Sequence, residues 1–314
     1  MALGYGNKFN GVKMERKDFI NFIKHRIIKL YPVYFFSMAY VFMFEIIKSM
    51  IEHSFTFYSF LKELAILVFS ATMLQTLTIK YWNLLNSAAW FIATIFICYL
   101  LTPYIFYMVG RIKKKNMLVM GLVILYAVMA FGYIASFFVD EDIELLFLFF
   151  YVSPYFRILF YLMGIFSAYI FMDKESTHNK GTIWQISATV LSLFAYFISI
   201  SQKDFYYSQY NLYLTPIFLF LIYAYTKDGV LSRFFSGRFF PKMGNLSMYI
   251  YLLHYVIINY VAVFFLDGID DTAVLCLASV GLLIFTIIFS YIFVRIQDYF
   301  LNKYLGSAIR KGRD

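Results

Sequence analysis

His254 lies inside an apolar stretch and is the side chain of this sequence best suited to proton transfer. The chain has four histidines, and this one ends the run GNLSMYIYLLH at 244–254. On a helix, Ser247, Tyr251 and His254 fall at i, i+4 and i+7, which places them in one polar stripe. An ionisable group at membrane depth is costly to bury, so it usually faces a protein-lined cavity and carries function. The residues leave one alternative open, a neutral His254 that is hydrogen-bonded to a neighbouring helix.

Three basic side chains, Lys24, Arg26 and Lys29, lie just before the first apolar stretch. Apolar residues around them follow a helical period and form a stripe, which consists of Phe19, Ile23, Ile27 and Leu30. We therefore expect the segment to lie along the cytoplasmic membrane surface, with its cations turned away from that stripe. Pro32 suits the first turn of a new helix and predicts a break between this segment and the span that follows. The segment is either an anchor for anionic lipids or a site for a phosphate-rich cytoplasmic cofactor.

Arg157 is embedded among apolar and aromatic residues in the run PYFRILFYLMG at 154–164. Such a side chain must reach the interface, pair with another group or line a cavity. No acidic residue lies within a helical turn of it, and Glu45, a carboxylate well inside another apolar stretch, is a candidate partner. Structural and functional roles both stay open for Arg157.

Asn86 and Trp90 lie at i and i+4, so a helix places them on one face, near the external end of a predicted span. A tryptophan near the membrane interface is usually an anchor, so we predict a structural role for Trp90. A functional role is the alternative.

The composition predicts a membrane protein. Of the 314 residues, 62% are hydrophobic and 14% charged, and the mean hydropathy is +0.72. No soluble domain of this size needs so much apolar surface, so we predict an all-α, polytopic transmembrane helical bundle. Cys98 and Cys276 both lie in apolar stretches, so neither a disulfide nor a metal site is expected. The net charge of +9 comes from basic residues in alternate short loops, a pattern that indicates membrane orientation and not nucleic-acid binding.

The apolar stretches determine the number of spans. They lie at about 30–51, 64–79, 84–109, 117–139, 145–172, 182–201, 211–226, 244–266 and 273–295. The stretch at 64–79 is short and polar, and treating it as a re-entrant or half-depth helix leaves eight spans. The basic loops then lie inside and the acidic segments at 140–144 and 267–271 lie outside, so both termini are cytoplasmic. We predict one membrane domain, made of a cytoplasmic surface segment at 1–29, a membrane bundle at 30–295 and a cytoplasmic tail at 296–314.

Four of these motifs occur in an order that resembles the integral-membrane acyltransferase 3 family. They are Arg26 with the Tyr-Pro step at 31–32, the Trp-Phe-Ile of 90–92 in a span that ends YLLTP at 99–103, Arg157 followed by Phe160 and Gly164, and GNLSMYIYLLH at 244–254. Each piece alone is weakly specific, but together and in order they cover roughly residues 1–300.

The resemblance implies a ten-span enzyme of the cell membrane. Members of the family move an acyl group, commonly acetyl, from acyl-coenzyme A to a hydroxyl of a cell-surface glycan, polysaccharide or lipid-linked sugar. Arg26, helped by Lys24 and Lys29, would then hold the phosphates of the coenzyme. Membrane lipids are the other expected partner, and no metal is implied.

The resemblance also assigns roles at membrane depth. Tyr251 and His254 match a late family element and would line the central cavity or relay a proton there. Arg157 matches the family's arginine ahead of Phe and Gly, and its role is left unspecified.

One departure from the family affects the expected activity. The family begins with a span that carries an Arg and the His generally taken as the catalytic base, and neither this span nor most of the next has a counterpart here. We expect a reading frame started too late, or else a fragment, and we expect these 314 residues alone to be inactive. The main alternative class is a non-enzymatic flippase or export component for glycans, which usually carries more intramembrane cations or repeat-related broken helices. Coenzyme A binding separates the two classes.

Overall fold

The computed structural model describes residues 14–78, 81–136, 138, 148–171, 181–201, 212–261, 269 and 271–310. Within these ranges the chain is helical and contains no strand, so the prediction of an all-α membrane bundle is confirmed. The helices are α1 (Arg16–Ile51), α2 (Phe57–Ala71), α3 (Trp90–Gly110), α4 (Lys115–Ser136), α5 (Pro154–Phe171), α6 (Gly181–Ser201), α7 (Leu214–Tyr225), α8 (Val230–Phe235), α9 (Phe239–Val261) and α10 (Thr272–Arg310). Short 3-10 turns at Gln75–Leu77 and Ser87–Ala89 and a π-helical turn at Leu148–Val152 lie between them.

Six helices in the described ranges are long and apolar enough to cross a membrane, namely α1, α3, α4, α5, α6 and α10. The predicted spans at 211–226 and 244–266 correspond to α7, which has 12 residues, and to α9, which has 23. Neither is among the six, so the count of eight spans stays a prediction. Helix α2 has 15 residues, too few for a span, which agrees with a half-depth helix in that stretch.

Several loops on which the predicted topology depends lie outside the described residues. They are the acidic segment at 140–144, the segments at 173–180 and 202–210, and most of the acidic segment at 267–271. The orientation of the chain, the cytoplasmic position of both termini and the membrane-surface position of residues 1–29 therefore stay predictions.

Helix α1 runs without a break through Pro32, so the predicted helix boundary at that residue is wrong. A proline inside a helix removes the N–H that would bond to the carbonyl four residues earlier, here that of Ile28. The side-chain amide nitrogen of Gln297 lies 3.4 Å from the Ile28 oxygen and 3.3 Å from the Lys29 oxygen, so a donor from another helix reaches this turn. Helix α10, which carries Gln297, continues past the predicted span end at 295.

Backbone contacts divide the chain into two compact units, and the first contains Met1–Phe19 and Ile97–Pro241. One apolar cluster joins the second half of α3 to α4 and α5, and its buried members are Ile105, Phe106, Val109, Leu118 and Ile165. A second cluster joins α4, the π-helical turn and α5, and its members are Met129, Phe150, Phe156 and Met163. Burial of large aliphatic and aromatic side chains therefore fixes the packing of α5 on its neighbours.

Gln185 of α6 organises the turn between α7 and α8 in the first unit. This residue is fully buried, and its amide nitrogen donates to the Lys227 carbonyl at 2.8 Å. Its amide oxygen accepts hydrogen bonds from the backbone N–H groups of Leu231 and Ser232, at 3.1 and 3.2 Å. These N–H groups belong to the first turn of α8, which has no partner for them within its own helix. Gln185 thus caps α8 from a distant part of the sequence.

The second unit contains Ile20–Phe96 and Lys242–Asp314. Aromatic rings join its long helices. The ring of Phe36 in α1 lies 5.0 Å from that of Phe293 in α10, centroid to centroid, and 6.4 Å from that of Phe289. Tyr249 of α9 lies 6.2 Å from the same Phe293 ring. Helices α1, α9 and α10 therefore share an aromatic contact region within this unit.

Tyr34 fixes the end of α2 against α1. It is fully buried, and its hydroxyl donates to the Ser70 carbonyl at 2.8 Å while it accepts from the Gln75 amide nitrogen, also at 2.8 Å. Between these two partners Met73 has a positive φ of 59°, which turns the chain from α2 into the following 3-10 turn. Helix α2 is therefore attached to the first long helix by polar bonds.

Candidate functional site

His254, Tyr251 and Ser247 lie on α9, as the sequence predicted, but they do not share one environment. Ser247 is exposed and its hydroxyl donates to the Gly244 carbonyl of its own helix at 2.8 Å. Tyr251 and His254 are half-buried, and their ring centroids lie 5.7 Å apart. The structure therefore brings together the tyrosine and the histidine and leaves the serine at the surface.

The His254 ring forms its hydrogen bond within α9. Its Nδ1 lies 3.2 Å from the carbonyl oxygen of Ile250, four residues earlier. A carbonyl oxygen only accepts hydrogen bonds, so in this arrangement Nδ1 carries the hydrogen, and the neutral ring has its lone pair on Nε2. Among the described residues we find no bond from this ring to a neighbouring helix, which was the structural alternative. The geometry leaves Nε2 as the basic nitrogen of a half-buried imidazole.

Asn86 caps the start of α3. Leu85 has a positive φ of 58°, and the chain then enters an extended conformation at Asn86. The Asn86 side-chain oxygen accepts from the backbone N–H of Ala88 at 2.9 Å, which satisfies a donor that the first helical turn leaves without a partner. The left-handed Leu85 is a strained conformation for this residue type, and the cap compensates for part of that cost.

The same Asn86 side chain also joins α3 to α9. It is fully buried, and its amide nitrogen donates to the Leu252 carbonyl at 3.0 Å. Next to it, the Ser87 hydroxyl donates to the Tyr255 hydroxyl at 2.8 Å. These two bonds flank His254 in the sequence of α9. They fix the turn that carries the histidine against the start of α3.

Trp90 is 8% exposed, so its ring is packed inside the protein. The prediction that it anchors the chain at the membrane interface is therefore wrong, although a structural role for Trp90 fits the burial. The neighbouring Phe91 is exposed, and its ring meets that of Tyr251 edge to face at 5.6 Å. The start of α3 thus contacts the Tyr251 side of α9 through Phe91.

Arg26 and Lys29 lie three residues apart in α1 and are both half-buried. The Arg26 guanidinium lies 5.2 Å from the centroid of the buried Phe22 ring, a cation–π contact. Lys24 is exposed, and its two-residue offset from Arg26 turns it toward the opposite side of the helix. The structure therefore favours Arg26 and Lys29 as a pair and separates Lys24 from them.

Arg157 lies in the first unit, on α5. Its Nε donates to the carbonyl of Tyr151 in the π-helical turn, and its guanidinium lies 4.4 Å from the Tyr151 ring centroid and 5.2 Å from that of Phe160. A π-helical turn leaves carbonyls without regular partners, and an arginine supplies donors for them. These contacts give Arg157 a structural explanation, and its pairing with Glu45 stays a prediction.

Sequence reasoning missed three polar residues that organise this region, Asn86 as a link to α9, Tyr255, and Gln297. Each is a polar residue near or within an apolar stretch, which is the signal that singles them out for attention. Their partners lie 166, 168 and 269 residues away, so no local pattern reveals the pairing.

Comparison with known proteins gives one family. A family model described as an acyltransferase domain (Acyl_transf_3) matches residues 4–295. No curated protein matches the chain, and no solved structure matches it either. The match covers most of the chain, including the pair Arg26 and Lys29 and the pair Tyr251 and His254. It agrees with the order of motifs read from the sequence. Together with its apolar helices, this match shows that the chain is a multi-pass membrane protein of the acyltransferase 3 family.

Proposed function

We propose that the protein, as expressed from its own gene, transfers an acyl group, in the simplest case acetyl, from acyl-coenzyme A to a hydroxyl of a cell-surface glycan or lipid-linked sugar. The cell membrane is the proposed location, with the coenzyme side cytoplasmic. One observation supports this proposal beyond the family match. The Nδ1 of His254 is held by the Ile250 carbonyl, which leaves Nε2 able to accept a proton inside an apolar helix.

The proposed coenzyme site is formed by Arg26 and Lys29. Coenzyme A supplies an activated thioester and carries several phosphate charges, so its binding site needs cations. Arg26 fits this chemistry because its guanidinium is half-buried and held over the Phe22 ring, which restricts its motion before a ligand binds. Lys29 adds a second positive charge one turn along the helix. Lys24, on the other side of α1, contributes only long-range attraction.

His254 is proposed to act as a proton relay. In the neutral ring, Nε2 accepts the proton of the acceptor hydroxyl or of a group bonded to it, while Nδ1 keeps its hydrogen on the Ile250 oxygen. The resulting imidazolium keeps the same Nδ1 bond, so the ring does not have to turn during the transfer. Tyr251, whose ring lies 5.7 Å from that of His254, is proposed to form part of the wall beside the imidazole. Arg157 has no proposed role in the chemistry.

The coenzyme site is tested by introducing Arg26→Ala into the chromosomal copy of the gene. Arg16→Ala, introduced in the same way, is the control. Arg16 is exposed and lies on the same helix. Membranes receive radiolabelled acetyl-coenzyme A, and label in the glycan fraction is followed against coenzyme concentration. Losing a charge-assisted contact with phosphate raises KM for acetyl-coenzyme A about 10-fold or more. An unchanged KM in Arg26→Ala contradicts the site.

The relay is tested by His254→Ala, with Asn259→Ala as the control on an exposed position of α9. Loss of a proton-transfer group lowers kcat by about 10²–10⁴-fold with little change in KM for the coenzyme. Protein abundance in the membrane is measured for each variant. Wild-type kcat in His254→Ala refutes the relay. Loss of surface glycan with an unchanged acetyl content per glycan would instead indicate an export component.

A further inference from the structure

Pro32 creates a defect in the middle of α1. A regular helix would bond the N–H of residue 32 to the Ile28 carbonyl, but proline has no N–H, and its ring also crowds that carbonyl. The Ile28 carbonyl then has to bond to water or to another group of the protein. The turn affected is the one that carries Arg26 and Lys29.

Gln297 of α10 supplies the missing donor. Its amide nitrogen lies 3.4 Å from the Ile28 oxygen and 3.3 Å from the Lys29 oxygen, and the side chain is 7% exposed. A side-chain amide carries two N–H hydrogens, so one nitrogen can donate to both oxygens. The two helices involved belong to the same compact unit. Gln297 therefore replaces the backbone donor that Pro32 lacks.

We propose that Gln297 is a positioning residue for the acyl-coenzyme site, because it fixes the helical turn from which Arg26 and Lys29 project. The link to the coenzyme rests on the proposed function, because that proposal assigns Arg26 its role. The contact between Gln297 and the turn before Pro32 is independent of the proposed function. Gln297 acts on backbone oxygens, so its effect on the coenzyme is indirect. Without its amide, the turn opens at Ile28 and the cations lose their fixed direction.

The packing of α1 on α10 does not depend on Gln297. The Phe36 ring contacts the rings of Phe293 and Phe289, which lie one and two helical turns before Gln297 on α10. These aromatic contacts stay when the amide is replaced. A leucine at position 297 has a similar volume and lacks hydrogen-bond donors. We therefore expect Gln297→Leu to fold and to reach the membrane.

The test is a double-mutant cycle between positions 297 and 32. Gln297→Leu raises KM for acetyl-coenzyme A about 10-fold and leaves kcat within about 2-fold. The free energy of one hydrogen bond corresponds to about a tenfold change in an equilibrium constant, and here its loss weakens binding of the coenzyme. Pro32→Ala restores a backbone N–H for the Ile28 carbonyl. In the double variant KM returns to within about 2-fold of the wild-type value, because the amide is no longer needed. Asn302→Leu, the same chemical change at an exposed position of α10, is the control.

Thermal unfolding of the purified variants separates this proposal from the coenzyme site. Gln297→Leu lowers Tm by about 2–4 °C with proline at position 32 and by a smaller amount in the Pro32→Ala background, where the Lys29 oxygen still loses its contact with the amide. Equal Tm losses in both backgrounds overturn the donor-replacement argument. An unchanged KM in Gln297→Leu, alongside a raised KM in Arg26→Ala, overturns the positioning role. An unchanged KM in Arg26→Ala itself refutes the proposed coenzyme site, and the Tm cycle still decides whether Gln297 supports the proline turn.

Discussion

Replacing Asn86 with aspartate removes one hydrogen bond of this residue and keeps the other. In the wild-type protein the side-chain oxygen caps α3 through Ala88, and the nitrogen donates to the Leu252 carbonyl of α9. Aspartate still offers an oxygen to the cap but presents a second oxygen to the Leu252 carbonyl. Alanine removes both bonds. The two variants therefore separate the local cap from the contact between helices.

The magnitudes follow from the burial of the site. Asn86→Ala loses a cap of about 1 kcal/mol and an interhelical hydrogen bond of about 1 kcal/mol, so we expect a loss of about 2 kcal/mol. The Leu252 oxygen keeps its place in the hydrogen-bond pattern of α9, so no larger penalty arises there. Asn86→Asp places a charge at a position that is 0% exposed and turns it toward another oxygen. We expect this nearly isosteric change to cost about 3 kcal/mol or more, and thus to exceed the alanine variant.

Thermal unfolding of the purified protein in lipid nanodiscs measures both values. With roughly 2–4 °C per kcal/mol for a chain of this size class, Asn86→Ala lowers Tm by about 4–8 °C and Asn86→Asp lowers it further. The same two substitutions at Asn83, which is exposed in the preceding segment, serve as controls and change stability by no more than about 0.5 kcal/mol. A wild-type Tm in Asn86→Asp refutes the reasoning, because the amide nitrogen would then contribute nothing to the link with α9.

Glycine substitutions give further predictions for the first unit, all checked by the same unfolding measurement. A Cβ added at Gly121 in α4 would overlap the Phe166 ring of α5, so Gly121→Ala lowers the free energy of unfolding by about 1–3 kcal/mol. A Cβ added at Gly164 in α5 meets nothing within 4 Å, so Gly164→Ala leaves the free energy of unfolding unchanged or raises it by up to about 1 kcal/mol. Equal effects at the two positions would contradict this account of the α4–α5 contact. A Cβ at Gly229 would overlap the amide of Gln185, so Gly229→Ala displaces the cap of α8 and costs about 1–3 kcal/mol. Wild-type stability in Gly229→Ala would show that α8 does not need this cap.

Much of the helix pattern was predictable from the sequence, because apolar stretches of sufficient length have few alternatives in a membrane. The sequence predicted a short helix at 64–79 from its length and polar residues, and the structure places this helix at Phe57–Ala71. Helical spacing correctly placed Tyr251 next to His254 on α9, whereas Ser247 is exposed. The boundary at Pro32 was predicted wrongly. Local rules place a proline at a helix start, and they contain no information about a distant side chain that replaces the missing N–H.

The roles of single polar residues were less predictable. Trp90 looked like an interface anchor because tryptophan often is one, yet its ring is buried. Arg157 looked isolated because no carboxylate lies near it in sequence, yet its guanidinium is held by a backbone carbonyl and two aromatic rings. The partners of Arg157 are aromatic rings and a backbone group, which a sequence pattern does not identify as partners.

The sequence alone determined that this chain is helical, that it lies in a membrane and which family it resembles, because these properties depend on composition, periodicity and the order of short motifs. The tertiary structure decided how the motifs are held in place. Buried amides do this in each unit. Gln185 of the first unit bonds to N–H groups at the start of α8, and in the second unit Gln297 bonds to the carbonyl that Pro32 leaves without its helical donor, while Asn86 bonds to a carbonyl in the middle of α9. Buried backbone groups need partners, but these partners lie 46, 166 and 269 residues away in the chain, so only the packing of the helices determines which residue supplies the bond.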